Sequence, residues 1–308
     1  MANSTVVELR KISKTVGHKK ILDDITLSVN QGEIFGLLGP NGAGKTTMMR
    51  IMTGLIKPTS GKVYMNGIDL IKNYEQALNY VGAIIENPEL YKHLSGYMNL
   101  KVMGNMYIDT DRKKIEQAAE IAGISERLSD KVKTYSLGMR QRLGIAVALI
   151  NEPKILILDE PLNGLDPEGV RDVRDTLKRL SRKKGVCIII SSHILSEMEL
   201  VCDRFALISG GKLIDTKNIG DTSATENFET HFKTLTPNNP AKLQQILQQF
   251  NITPEIISDK EFMINLNEET ISKVITALVT ANIQIKAVIP QKQSLEDYFM
   301  AKMKEEQQ

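Results

Sequence analysis

Gly39-Pro40-Asn41-Gly42-Ala43-Gly44-Lys45-Thr46 fits the pattern G-x-x-x-x-G-K-[ST], and it sits between an apolar run, residues 33–38, and a helical pattern beginning near Lys45. Strand, loop and helix in that order are the context such a loop requires. Glycines let backbone N–H groups close around phosphate oxygens, and the helix that follows presents its partly positive N-terminus to the same anion. Lys45 adds a full charge near the β- and γ-phosphates. The Thr46 hydroxyl suits Mg²⁺, a hard cation that prefers oxygen and keeps several waters, and Thr47 ends the phosphate-binding run.

Downstream, Ile155-Leu156-Ile157-Leu158-Asp159-Glu160 reads as an apolar strand that ends in two carboxylates, at the strand exit where α/β sheets bind ligands. Asp159 would hold Mg²⁺, directly or through water. Glu160, one residue on and differently directed, could polarise a water against the γ-phosphate. A third apolar run, residues 186–191, leads into a helical pattern from about Leu195, so strands and helices alternate as in a mostly parallel sheet. Residues 5–30 instead alternate apolar and polar (Ile25, Leu27, Val29 against Thr26, Ser28, Asn30) and predict an antiparallel β layer beside it. Residues from about 88 to 145 predict a helical subdomain: Ile115, Ala118, Ala119 and Ala122 share one helix face, and Gly123 follows as a stop.

The chain has 308 residues, 42% apolar and 25% charged, which excludes disordered and disulfide-dense classes and favours two domains at roughly 100 to 200 residues each. All 21 glycines lie at or before Gly220, and no arginine follows Arg204. The formal charge of +2 divides into +6 for residues 1–220 and −4 for residues 221–308. We therefore place a boundary near Gly220, with identifiable chemistry confined to the first segment. The second segment reads as strand 228–235, helix 239–250, strands 255–257 and 262–266, helix 269–281 and strand 283–289, with a last helix from Ser294. That βαββαβ order predicts a small ferredoxin-like α+β domain. So small a net charge offers no field for nucleic acid, and none is expected as a partner. No apolar run is long enough to span a bilayer, and no secretory signal is apparent, so the expected location is the cytoplasm. Cys187 and Cys202 lack metal-ligand spacing and read as reduced, buried thiols.

With Tyr135-Ser136-Leu137-Gly138-Met139-Arg140-Gln141-Arg142 ahead of the Asp159 strand, these motifs resemble the nucleotide-binding subunits of ABC transporters in order and spacing. Ser136 and Gly138 match the family's signature L-S-G-G-Q, while Leu137 and Met139 replace one of its glycines and its glutamine. The resemblance covers residues 5–220. It implies a P-loop ATPase core that binds ATP and Mg²⁺, with the signature segment closing on the γ-phosphate held by a second copy in a head-to-tail dimer. It also implies that Asp166, in Pro161-Leu162-Asn163-Gly164-Leu165-Asp166, couples the two sites, and that His193, in Ser191-Ser192-His193, contacts the γ-phosphate and the attacking water. Glu160 and His193 are then the catalytic pair. Separate membrane permease subunits would receive the motion, holding the protein peripherally on the inner face of the cell membrane.

Two departures matter. The aromatic that stacks on adenine in the family falls at Val16, leaving His18 and Tyr135 as substitutes. Base stacking is worth about 1 to 3 kcal/mol, so affinity or base selectivity should fall. In Gly82-Ala83-Ile84-Ile85-Glu86-Asn87-Pro88 the usual glutamine is Glu86, as in bacitracin-type and lantibiotic-immunity exporters, and its carboxylate could approach Mg²⁺ or a basic group on a partner. The C-terminal Leu295-Glu296-Asp297-Tyr298-Phe299 also resembles the drug-export branch. The resulting expectation is export of, or self-protection against, a peptide antibiotic. Alternatives are export of another drug or lipid, a nucleotide-gated regulatory subunit with weak turnover, and a soluble ABC-type ATPase of translation or DNA repair. The last usually carries two cassettes or long coiled coils, which this chain lacks.

Overall fold

The computed structural model describes residues 4–107, 110–219, 228–237 and 239–291. The chain divides into two compact units, Met1–Ile219 and Gly220–Gln308.

In the first unit, β1 (Thr5–Val16) and β2 (Lys19–Asn30) form the expected antiparallel hairpin. Next come β3 (Ile34–Leu38), α1 (Lys45–Met52), β4 (Ser60–Met65), β5 (Ile68–Asp69), α2 (Tyr74–Leu78) and β6 (Val81–Ile84). The helical segment holds α3 (Gly96–Gly104), α4 (Arg112–Ala122) and α5 (Leu137–Leu149). Then follow β7 (Ile155–Leu158), α6 (Pro167–Lys184), β8 (Cys187–Ser192), α7 (Leu195–Val201), β9 (Arg204–Ser209) and β10 (Lys212–Asn218).

Two sheets result. One is antiparallel, in the order β2-β1-β4-β5; the other runs β10-β9-β3-β8-β7-β6 and is parallel except for β10. Every residue of β3, β7 and β8 is buried, which explains why these strands read as unbroken apolar runs rather than alternating ones. In the hairpin, Ile25, Leu27 and Val29 are buried while Thr26 and Ser28 face out, as the alternation predicts. Met48, Met49, Ile51 and Met52 of α1 share one core with Val7, Leu9 and Ile25 of the antiparallel sheet and with Ile157 and Ile189 of the parallel one. The loop-bearing helix is thereby anchored in the unit's centre.

In α4 the buried face is Ile115, Ala118, Ala119 and Ala122. Asp111 caps its start by accepting from the Lys114 N–H at 2.8 Å, and Gly123 closes it at φ 69°. Helical structure extends to Leu149, four residues past the expected limit of the subdomain.

The second unit is built of β11 (Phe228–Thr234), α8 (Pro240–Gln248), β12 (Glu255–Ser258), β13 (Glu261–Leu266), α9 (Glu268–Thr280) and β14 (Ile285–Gln291). Its sheet is antiparallel in the order β12-β13-β11-β14, the arrangement a ferredoxin-like βαββαβ chain produces. Phe232 and Phe262 stack at 5.1 Å over a core that includes Leu243, Leu247, Val274 and Leu278 from the two helices. The expected helix from Ser294 and the segment Leu295 to Phe299 lie outside the described residues.

Candidate functional site

The three fully buried strands β3, β8 and β7 are neighbours, with Leu38 level with Ser192 and Leu158 level with Ile190. Their carboxyl ends therefore open at one place, delivering the 39–46 loop, the Ser191-Ser192-His193 segment and the Asp159-Glu160 pair together.

Two glycines of the loop do different work. A Cβ on Gly39 would lie 2.1 Å from the Ile208 carbonyl oxygen of β9, so only glycine lets the chain leave β3 beside that strand. At Gly42 nothing stands within 4 Å, but φ is 81°, a left-handed conformation that side chains seldom adopt. Gly44 then caps α1, and Lys45 is its first residue.

Lys45 is 5% exposed; its Nζ donates to the Gly39 carbonyl at 2.7 Å and the Pro40 carbonyl at 3.2 Å, with the Glu160 carboxylate 4.0 Å away. Burial pushes its pKa down, against the pull of Glu160 and Asp159, which favour the charged form. A buried ammonium held by two carbonyl dipoles is poised for an anion, and a phosphate oxygen is the partner such a loop accepts. Beside it, Thr46 Oγ1 donates to Asp159 Oδ2 at 2.8 Å, so the two expected Mg²⁺ ligands already touch. Hydroxyl and carboxylate oxygens suit a hard cation that leaves its other positions to water and phosphate.

Asp159 is 4% exposed, and its Oδ1 accepts from Ser191 Oγ at 2.5 Å. The Glu160 N–H donates to the same Ser191 Oγ at 2.7 Å. Glu160 itself has φ 45°, and its carboxylate lies 3.2 Å from His193 Nδ1 and accepts from Asn163 Nδ2 at 3.2 Å. Ser192 Oγ donates to Glu197 at 2.7 Å and accepts from the Ile194 N–H at 2.9 Å, which pins the turn that carries His193. A carboxylate beside a lysine, a histidine and a phosphate loop can orient a water and take its proton.

The signature residues sit elsewhere in the unit. Ser136 caps α5 by accepting from the Met139 N–H at 3.2 Å, and Leu137 is 40% exposed. Ser136, Gly138 and Met139 line a cleft with Asp166, Gly169 and Asp172 rather than with the Lys45 loop. Asp166 is the N-cap of α6 and accepts from the Gly169 N–H at 3.1 Å, so it has a structural task the sequence reading did not include.

Three sequence expectations need correction or addition. Tyr135 cannot stand in for the missing adenine aromatic: it is 3% exposed, and its hydroxyl donates to the Arg127 carbonyl at 2.5 Å. Val16 is 60% exposed at the end of β1, with His18 exposed after it. Glu86, at φ 67°, forms an ion pair with Arg50 in the last turn of α1, so the basic group it meets belongs to its own chain. The sequence reading missed Arg50, Asn163 and Ser191. The signal for the last two lay inside motifs already quoted. Cys187 and Cys202 are free and buried, and burial pushes both thiols up.

The ABC transporter family model matches residues 22–163. The ABC transporter ATP-binding protein YhcH of Bacillus subtilis is 46% identical over 296 residues, covering 96% of this chain and 95% of that one. The bacitracin transport ATP-binding protein BcrA of Enterococcus faecalis is 35% identical over 294 residues, covering 96% and 95%. Among solved structures, the dimeric ATP-binding cassette MJ0796 bound to ADP and Pi superposes with a TM-score of 0.62 at 25% identity, covering 69% of this chain and 98% of that one.

Proposed function

The chain belongs to the ABC transporter family as an ATP-binding, ATP-hydrolysing cassette protein, and we propose that it drives export of, or protection against, a peptide antibiotic through separate permease subunits. The observation that carries the catalytic part is the convergence of Lys45, Thr46, Asp159, Glu160 and His193 at the ends of three adjacent strands.

In this reading the backbone of residues 39–47 and the Lys45 ammonium hold the β- and γ-phosphates. Thr46 and Asp159 would hold Mg²⁺, which when bound would supply positive charge beside the phosphates. Glu160 accepts a proton from the attacking water, and His193 fixes the water and the γ-phosphate against it. Ser136 and Gly138 of a second copy close the site as donors at the start of α5, with Leu137 and Met139 flanking them and Asp166 relaying between the paired sites. Their separation from Lys45 within one chain fits a head-to-tail dimer. Among the described residues no helix is long and apolar enough to cross a membrane, which fits a peripheral subunit on the cytoplasmic face. Glu86, paired with Arg50 of α1, lies just ahead of the helical segment through which the permease would feel closure.

Purified Glu160→Gln protein tests the catalytic assignment: it should bind ATP, lose turnover and accumulate as a dimer. Undiminished hydrolysis overturns it. The substrate class rests on relatives such as the bacitracin transport protein, aligned along nearly the whole of both chains. Deleting the gene should sensitise the host to bacitracin-like or lantibiotic peptides. Sensitivity unchanged to every peptide tested, or altered only to other drugs or lipids, refutes the peptide reading.

A further inference from the structure

The residue that joins the two halves of the acidic site is Ser191, a side chain with no exposed surface in the central strand β8. Its hydroxyl has one proton and gives it to Asp159 Oδ1 at 2.5 Å; its lone pair receives the Glu160 N–H at 2.7 Å. Both bonds cross from β8 to the exit of β7, between residues 31 and 32 positions apart. The first fixes the rotation of the carboxylate that Thr46 also engages. The second fixes the backbone at Glu160, which sits at φ 45°, a region that non-glycine residues seldom adopt. At ordinary negative φ the Glu160 side chain would leave the backbone in another direction, away from Asn163 and His193.

We propose that Ser191 is a positioning residue for ATP hydrolysis, its single hydroxyl aiming the Mg²⁺-holding carboxylate of Asp159 and, through the Glu160 backbone, the catalytic base. The inference rests on the roles given above to Asp159 and Glu160. The carboxylate end of Glu160 is held by Asn163 and His193 and its backbone end by Ser191, so the base is fixed at both ends. Misplacement of a reacting group by about 1 Å can cost on the order of 100-fold in rate. Loss of the serine hydroxyl should therefore show in turnover and in the response to Mg²⁺, while nucleotide binding without metal, which uses the Lys45 loop, should be spared.

The experiment compares full-length parent, Ser191→Ala, Ser191→Thr and Ser191→Val. Threonine and valine have the same shape and differ only in the hydroxyl, so their ratio cancels the steric effect of branching. The readouts are kcat and KM for ATP, affinity for a fluorescent ATP analogue with and without Mg²⁺, and the thermal midpoint. The expected result is about a 10- to 100-fold lower kcat for Ser191→Ala and for Ser191→Val relative to Ser191→Thr. Affinity without Mg²⁺ should stay within about twofold, and the affinity gained on adding Mg²⁺ should shrink severalfold in the variants without a hydroxyl. A Thr-to-Val kcat ratio near one, or an unchanged Mg²⁺ response in the Ser191→Val protein, overturns the proposal. Should Ser191→Ala fail to fold, the Thr and Val pair still decides. The Glu160→Gln protein run alongside separates the failures: full turnover there condemns the role of Glu160, not that of Ser191.

Discussion

Replacing Gly39 by alanine pits one methyl group against a backbone carbonyl. The new Cβ would stand 2.1 Å from the Ile208 oxygen, about 1.3 Å short of the 3.4 Å at which ordinary contact begins, and within 3.3 Å of Ala43 Cβ. No rotamer change can relieve it, because the obstructing atom belongs to β9, hydrogen-bonded to β3 on one side and β10 on the other. Overpacking of this kind costs about 1 to 3 kcal/mol, and the rigid neighbour puts this case at the upper end. The alanine lowers unfolded-state entropy and returns about 0.4 to 1 kcal/mol, leaving a net loss of about 2 kcal/mol. For a unit of this size each kcal/mol moves the midpoint by about 2 to 4 °C, so thermal unfolding without nucleotide should begin about 4 to 8 °C lower. Gly42→Ala is the control. There the methyl meets no atom within 4 Å, and the cost is only that of the left-handed φ, about 1 to 2 kcal/mol before the same entropic return. Its midpoint should fall by about half as much, while its ATP affinity falls more, because Gly42 lies where the backbone must wrap the phosphates. Circular dichroism melts with and without MgATP measure both effects. A Gly39→Ala midpoint within 1 °C of the parent, or a Gly42→Ala loss as large, refutes the division of labour.

The N-cap at Asp166 and its proposed coupling role separate by chemistry: Asp166→Ala should lose about 1 kcal/mol of stability, whereas Asp166→Ser keeps a capping oxygen and melts like the parent. Both should lose cooperativity in ATP hydrolysis, and full cooperativity in the serine variant would confine Asp166 to capping. Burial raises the Glu33 carboxyl despite the Asn30 N–H and the nearby Arg204, so the folded state holds this proton more tightly than the unfolded chain. Its stabilising contribution is full below the unfolded carboxylate value of about 4.3 and is lost as pH rises through the raised value. Denaturant titrations at pH 4 and 7 should therefore show Glu33→Gln gaining on the parent with rising pH, and a constant gap would refute this. Cys187 and Cys202, buried with raised thiol pKa values, should resist alkylation in the native protein and react fully in denaturant. Rapid native labelling of either would contradict their placement.

The fold was legible where burial is complete or one-sided. Unbroken apolar runs at β3, β7 and β8 read as central strands, alternation at Ile25, Leu27 and Val29 read as a sheet face, and Gly123 read as a helix stop. Element ends shifted by a residue or two because caps are set by one side chain, such as Asn239, whose Oδ1 accepts from the Ala241 and Lys242 N–H groups at the start of α8. Tyr135 resisted reading for a different reason. An aromatic next to a signature segment looks available for stacking, and only its bond to the Arg127 carbonyl shows that it faces inward.

By itself the sequence determined the chemistry on offer: a glycine loop with Lys45 and Thr46, an acidic strand exit, a histidine after a strand, and two segments of opposite charge. These are local features, and the residues that perform them are adjacent in the chain. Tertiary structure alone decided which of them meet. The order β3-β8-β7 inserts the later strand between the two earlier ones, and that insertion brings Ser191 onto Asp159 and Glu160 and His193 onto the base. Likewise Glu86 meets Arg50 of its own chain, 36 positions away. Strand order is set by how whole buried faces pack, not by any motif, so no reading along the chain could have ranked Ser191 above the serine that follows it.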